Sequence, residues 1–124
     1  MKNRFKQRLA EGEVVLGSQL RMGTAAIAEL FGLAGFDFLV IDGEHAAQTP
    51  VGIQAQLQAI SGTVSTPVVR LGQKDPDLIR LYLDMGGMNI VVPLIDTAEE
   101  ARNCAEACRY PPAGFRGYGP SRAN

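Results

Sequence analysis

Asp42, Glu44 and His45 fall within the four-residue stretch DGEH, and His45 is the single histidine of the chain. Near neutral pH an imidazole can act as a general base, and a neighbouring carboxylate tunes it. The alternative is a surface histidine or one satisfied inside the core. Arg70 closes the short apolar run Pro67-Val68-Val69. An arginine at or near the end of a buried strand must pair with an acid or face a ligand. Asp42 and Asp75 are the candidate partners. The functional reading is a fixed cation for a carboxylate or an enolate oxygen. Asp84 lies near the end of a helical stretch and reads as a surface acid, poorly placed for the helix dipole. Asp96, Glu99 and Glu100 read as helix-start residues.

These residues need a frame that brings them together. Phe36, Phe38, Leu39, Val40 and Ile41, interrupted by Asp37, are aromatic, aliphatic and β-branched. The run is too short for a buried helix and predicts a strand buried on both faces. The DGEH stretch therefore falls just past the C-terminal end of a strand, where α/β folds place their chemistry. Before it, Glu13–Gly17 predicts a first strand, Ser18–Thr24 a loop, and Ala25–Leu33 a helix capped by Thr24. After it, Thr49-Pro50 is a cap followed by proline at the first helical position, opening a helix over Val51–Ile60. Pro67–Leu71 predicts a third strand. Asp75-Pro76 repeats the cap-and-proline signal before a helix over Asp77–Met85. Asn89–Leu94 predicts a fourth strand, and Asp96 or Thr97 caps a last helix running to about Arg109. Tyr110–Asn124 is rich in Pro and Gly and has no period.

Strand–helix alternation repeated four times implies an α/β fold with a parallel sheet and right-handed crossovers. Pattern alone leaves two architectures open. One is a small open α/β domain. The other is half of a (β/α)8 TIM barrel, which typically needs about 250 residues. The chain has 124 residues, 46% of them hydrophobic and 20% charged, enough for one domain. A net charge of −1 argues for neither nucleic acid nor membrane as partner. No apolar run approaches the roughly 20 residues of a membrane span. The basic start MKNRFKQRLAEGE lacks the apolar core of a secretory signal and reads as an exposed helix with Phe5 and Leu9 on one face. Cys104 and Cys108, four apart on a helix, are poorly placed for a disulfide and have no further Cys or His to complete a zinc site. Read as reduced, they imply a cytoplasmic protein. No glycine-rich nucleotide fingerprint follows the first strand.

The segments AGFDFLVIDGEHA (34–46), PVVRLGQKDPDLIRLYLDMGG (67–87) and NIVVPLIDTAEEARNCAEACRYPPAGFRGYGPSRA (89–123) resemble the HpcH/HpaI family of metal-dependent pyruvate aldolases. The resemblance covers essentially the whole chain and is most specific at DGEH and at RYPPxGxRG. It implies four βα units equivalent to the N-terminal half of a (β/α)8 barrel. It also implies carbon–carbon lyase chemistry, in which a 4-hydroxy-2-oxo acid gives pyruvate and an aldehyde with Mg²⁺ or Mn²⁺ as cofactor. By motif, His45 matches the general base and Arg70 the stabiliser of the pyruvate enolate. Asp84 matches the acid that raises the basicity of the histidine, and Asp42 an acid near the substrate hydroxyl. The resemblance places the metal ligands, a Glu and an Asp, on strands after the fourth, so no metal ligand is expected within these residues. Family members form hexamers built from dimers, so a homo-oligomer, or a complementing C-terminal half, is expected. The alternatives are a truncated, non-catalytic homologue, one half of a split enzyme needing a partner chain, and a small open-sheet binding domain. As a half-barrel, the chain should expose sheet edges at Val14–Leu16 and Ile90–Val92 and an apolar inner face of Leu39, Ile41, Val69 and Val91.

Overall fold

A computed structural model describes residues 3–119 and 122. Its elements are α1 (Arg4–Ala10), β1 (Gly17–Leu20), α2 (Ala25–Leu33), β2 (Phe38–Asp42), α3 (Pro50–Ile60), β3 (Thr66–Arg70), α4 (Pro76–Asp84), β4 (Asn89–Val91) and α5 (Ala98–Ala107). The strands form one parallel sheet in the order β1-β2-β3-β4. Helix starts follow the capping chemistry of the sequence. Thr49 accepts from the Gly52 N–H at 3.1 Å with Pro50 behind it, and Asp75 accepts from the Asp77 N–H at 2.8 Å with Pro76 behind it. Thr97 and Glu100 form a reciprocal capping box.

One face of the sheet is covered. Leu20, Leu39, Ile41 and Val69 are at most 1% exposed and share a core with Ala28 of α2, Ile53, Leu57 and Ile60 of α3, Ile79 and Tyr82 of α4, and Cys104 and Ala107 of α5. Burying one such aliphatic side chain is worth roughly 1.5–3 kcal/mol. Both cysteines are free, with Cys104 buried in this layer. Among the described residues no helix is long and apolar enough to cross a membrane.

The other face is largely open. Strand alternation and register put Gly17 and Gln19 of β1, Phe38, Val40 and Asp42 of β2, Val68 and Arg70 of β3, and Asn89 and Val91 of β4 on it. This corrects the expected inner face. Leu39, Ile41 and Val69 point at the helices; of the four residues expected there, Val91 alone lies on the open side. A run such as FLVI is apolar at every position, so its composition does not say which alternate set meets the helices. The strand is accordingly fully buried on one face; on the other, Phe38 and Val40 are half-buried and Asp42 is buried. Helix α1 covers the lower end of the open face. The Phe5 ring packs on Phe38 with centroids 4.8 Å apart, and Asn3 Nδ2 donates to Asn89 Oδ1 at 2.7 Å.

The first strand is also displaced from its expected place. Val14 and Leu16 are exposed, at 94% and 68%, and the ladder starts only at Gly17↔Phe38. Asp37 explains the shift. Its carboxylate takes the Leu16 N–H at 2.8 Å and an ion pair from Arg8, fixing Leu16 just ahead of the ladder. Gly17 makes room there for the Phe38 ring, which would have to move aside for a Cβ. The exposed edge on that side is thus Gly17–Leu20. At the opposite edge, β4 ends at Val91 rather than Leu94: Pro93 has no N–H for the ladder, and Leu94 turns to a φ of +57°.

Candidate active site

The C-terminal ends of β1, β2 and β3 converge on Asp42. Its side chain is fully buried although it lies on the open face, because charged and polar neighbours enclose it. Arg70, its register partner on β3, donates from Nε at 3.0 Å to Oδ1 and from Nη2 at 2.7 Å to Oδ2. Gln19 Nε2 donates at 2.9 Å. The backbone N–H groups of Glu44 and His45 donate to Oδ1 at 3.0 and 3.1 Å. The forked pair from Arg70 holds the Asp42 carboxyl at about 2, against a burial effect in the opposite direction; the two N–H groups add to the lowering. The same pairing pushes the Arg70 guanidinium further up, so it stays charged.

The backbone enforces this pairing. The Gly43 N–H donates to the Arg70 carbonyl at 2.8 Å, and a Cβ on Gly43 would stand 2.6 Å from that oxygen. Glycine lets the ends of β2 and β3 close on each other, which sets Asp42 and Arg70 side by side.

Glu44 extends the cluster outward. Its Oε2 lies 3.2 Å from Arg70 Nη1 and 3.5 Å from His45 Nε2. The His45 side chain is 61% exposed and faces solvent at the mouth of the site. The segment that carries it is braced from both sides. Arg21 Nη2 donates to the His45 carbonyl at 2.9 Å. Gln48 accepts from the buried Gln56 amide at 2.8 Å, and Gln56 in turn holds the Gly52 carbonyl at 3.1 Å.

Asp42, Arg70 and His45 are thus brought together. Asp84 is not among them. It ends α4, whose C-terminus leads back to the start of β4, so it lies at the opposite end of the sheet from His45. There it is ion-paired with the buried Arg116, which stacks over Tyr110 at 4.8 Å. The carboxylate beside His45 is Glu44. Arg21 and Gln19 join the candidate site through Asp42 and His45; a loop reading of Ser18–Thr24 hides them in the sequence. Continuing the strand to Leu20 would have put Arg21 at a strand end, like Asp42 and Arg70.

Among the described residues no group of three or more His, Cys, Asp or Glu is placed to hold a metal ion. The donor chemistry agrees: both Asp42 oxygens are taken by nitrogen donors, and Glu44 is shared by Arg70 and His45. A hard divalent cation needs about six oxygen ligands. The described residues therefore do not by themselves fit Mg²⁺ or Mn²⁺.

A parallel βα sheet with an acid, a histidine and an arginine gathered at its C-terminal strand ends defines an α/β protein whose candidate site lies where such folds bind their ligands. Residues 20–123 match the HpcH/HpaI aldolase/citrate lyase family, and the chain belongs to that family. It is 46% identical over 123 residues to 4-hydroxy-2-oxovalerate aldolase of Rhodococcus jostii, covering 98% of this chain and 48% of that protein. It is 45% identical over 123 residues to 2-keto-3-deoxy-L-rhamnonate aldolase of Escherichia coli, covering 99% and 46%. It thus spans about half the length of the curated relatives it matches. In three dimensions it is similar to an HpcH/HpaI aldolase/citrate lyase family protein from Burkholderia cenocepacia, with a TM-score of 0.89, 35% identity and coverage of 95% of this chain and 49% of that one. It is likewise similar to the citrate synthase SbnG, with a TM-score of 0.85, 30% identity and coverage of 91% and 46%. The four βα units are equivalent to the N-terminal half of a (β/α)8 barrel.

Proposed function

We propose that the protein acts in retro-aldol cleavage of a 4-hydroxy-2-oxo acid to pyruvate and an aldehyde, and that the Asp42–Glu44–His45–Arg70 cluster is its catalytic contribution. The observation that carries this reading is Arg70: a permanently charged guanidinium, clamped on two carboxylates at the strand ends, beside the chain's only imidazole. In the cleavage, the bond between C3 and C4 breaks as the 4-hydroxyl loses its proton. His45 is the base that takes it. The electron pair moves toward C2, and negative charge collects on the 2-oxo oxygen. Arg70 is a preorganised cation for that charge. A proton delivered to C3 then yields pyruvate. Asp42 holds Arg70 in place, and Glu44 stands where a carboxylate favours the imidazolium formed during proton transfer. A divalent ion, if the reaction uses one, needs oxygen donors from outside the described residues.

The open face supports a second part of the reading. Further βα units should cover it, and in the isolated 124-residue chain a second copy does so, with the β4 edge of each copy meeting the β1 edge of the other. The match to about half of each solved relative supports this arrangement. So do the two unpaired edges at Gly17–Leu20 and Asn89–Val91.

The test supplies the remaining half of the Rhodococcus relative as a second polypeptide and follows pyruvate release with Mg²⁺ or Mn²⁺ present. The chain alone should release little pyruvate. The mixture should turn over, and Arg70→Ala should lower its turnover by about 10²-fold or more. Unchanged turnover in Arg70→Ala would remove Arg70 from the reaction.

A further inference from the structure

The uppermost layer of the open face holds one charged side chain at the C-terminal end of each of three consecutive strands, Arg21 being the residue just after β1. The Leu20↔Ile41 and Asp42↔Arg70 register pairs make Arg21, Asp42 and Arg70 neighbours in that order. The two arginines are not equivalent. Arg70 is 23% exposed and committed, with Nε and Nη2 on Asp42 and Nη1 on Glu44. Arg21 is 62% exposed, and its Nε stands 3.6 Å from Asp42 Oδ2, beyond a normal hydrogen bond. Its Nη2 donates to a neutral group, the His45 carbonyl, at 2.9 Å. Its charge is therefore the less neutralised of the two and faces the mouth of the site.

The charge balance points the same way. Asp42 and Glu44 are offset by Arg70 and Arg21. Without Arg21 the cluster carries one net negative charge and would repel an anionic substrate. Resting on the lyase reading above, we propose that Arg21 docks a carboxylate of the substrate at the mouth of the site. That carboxylate could belong to the 2-oxo acid itself or to the aldehyde portion. An arginine presents a planar fork matched to a carboxylate.

The test titrates the ¹⁵N-labelled chain, completed by the unlabelled second half of the Rhodococcus relative, with pyruvate, methyl pyruvate and 4-hydroxybutyrate, followed by amide and arginine Nε shifts. The same titrations are run on Arg21→Gln and Arg21→Lys. Because Arg21 is exposed, an unchanged unfolding midpoint confirms that the variants remain folded. Arg21→Gln should weaken a carboxylate ligand by about tenfold, the equivalent of about 1.4 kcal/mol. Arg21→Lys should recover part of that loss, and uncharged methyl pyruvate should respond to neither change. A loss confined to pyruvate assigns the 2-oxo acid carboxylate; a loss confined to 4-hydroxybutyrate assigns the aldehyde side. Carboxylate affinities unchanged in Arg21→Gln overturn the proposal while leaving the lyase reading intact. If 4-hydroxybutyrate depends on Arg21 but pyruvate does not shift Arg70, the lyase reading fails and the docking role stands. No binding of either acid overturns both.

Discussion

The two faces of the sheet are built from the same strands and do different work. The face that meets the helices carries Leu20, Leu39, Ile41 and Val69, all sealed from water. The opposite face carries Gln19, Val40, Asp42, Arg70 and Val91, and its charges are gathered at the strand C-termini. Alternation along one strand is enough to separate the two: Ile41 points into the helix layer, and Asp42, the next residue, points into the candidate site. The sealed core therefore lies on one side and the candidate site on the other, one peptide unit apart.

The comparison is broken first at Ile41. Ile41→Ala should cost about 2–5 kcal/mol, because it leaves a cavity in the core between sheet and helices. Urea denaturation followed by circular dichroism measures this. Measured at a concentration low enough for the chain to be monomeric, Val40→Ala, one residue earlier on the open face, should cost less than about 1 kcal/mol. Equal costs would show that the open face is covered in solution as thoroughly as the other. Asp42→Ala is expected to fall between the two, at about 1–3 kcal/mol, since it strands the Gln19 amide and the N–H groups of Glu44 and His45.

Acid titration sharpens the same contrast. Asp42 has its folded value lowered from 3.8 to about 2, mainly by Arg70. A lowered carboxyl contributes stability that is fully present above its unfolded value and is lost as pH falls through the folded one. Unfolding midpoints should therefore drop between about pH 4 and about pH 2, and Asp42→Asn should flatten that part of the profile. Glu100, lowered to about 2 by Lys74, contributes in the same window and remains in that variant. The slope should accordingly be reduced rather than abolished.

The smallest effect on folding is expected at the edge. Val91→Lys, on the shortest strand and 42% exposed, should leave the unfolding midpoint of the monomer nearly unchanged. It should nevertheless shift the chain from dimer to monomer in sedimentation at micromolar concentration, because a lysine blunts a sheet edge. A wild-type chain that sediments as a stable, cooperatively melting monomer would refute the pairing of open faces.

Much of this was legible in the sequence, and the failures have physical causes. Thr24, Thr49-Pro50, Asp75-Pro76 and Thr97 announce their helices because capping chemistry is local. The DGEH stretch and Arg70 announce a site because charges stand abruptly at the ends of apolar runs. β1 was misplaced because its own residues, GSQL, have weak strand propensity, while the β-branched pair Val14-Val15 lies outside the ladder. What fixes β1 is the carboxylate of Asp37 meeting the Leu16 N–H, a contact between residues 21 apart. That misplacement also hid Gln19 and Arg21. The choice of which alternate residues of FLVID face the helices depends on pairing register and helix docking, and the run itself is apolar on both sides until Asp42. The position of Asp84 at the far end of the sheet follows from topology: a helix that leads back to the next parallel strand ends below the sheet, away from His45.

His45 offers the most direct test of the division between the two faces. Its side chain is largely exposed, so His45→Ala should not alter the unfolding midpoint. In the chain completed by the second half of a relative, pyruvate release by His45→Ala should fall by about 10²-fold or more at neutral pH. Full turnover in that variant, with the fold intact, would contradict the assignment of the open face as the catalytic one.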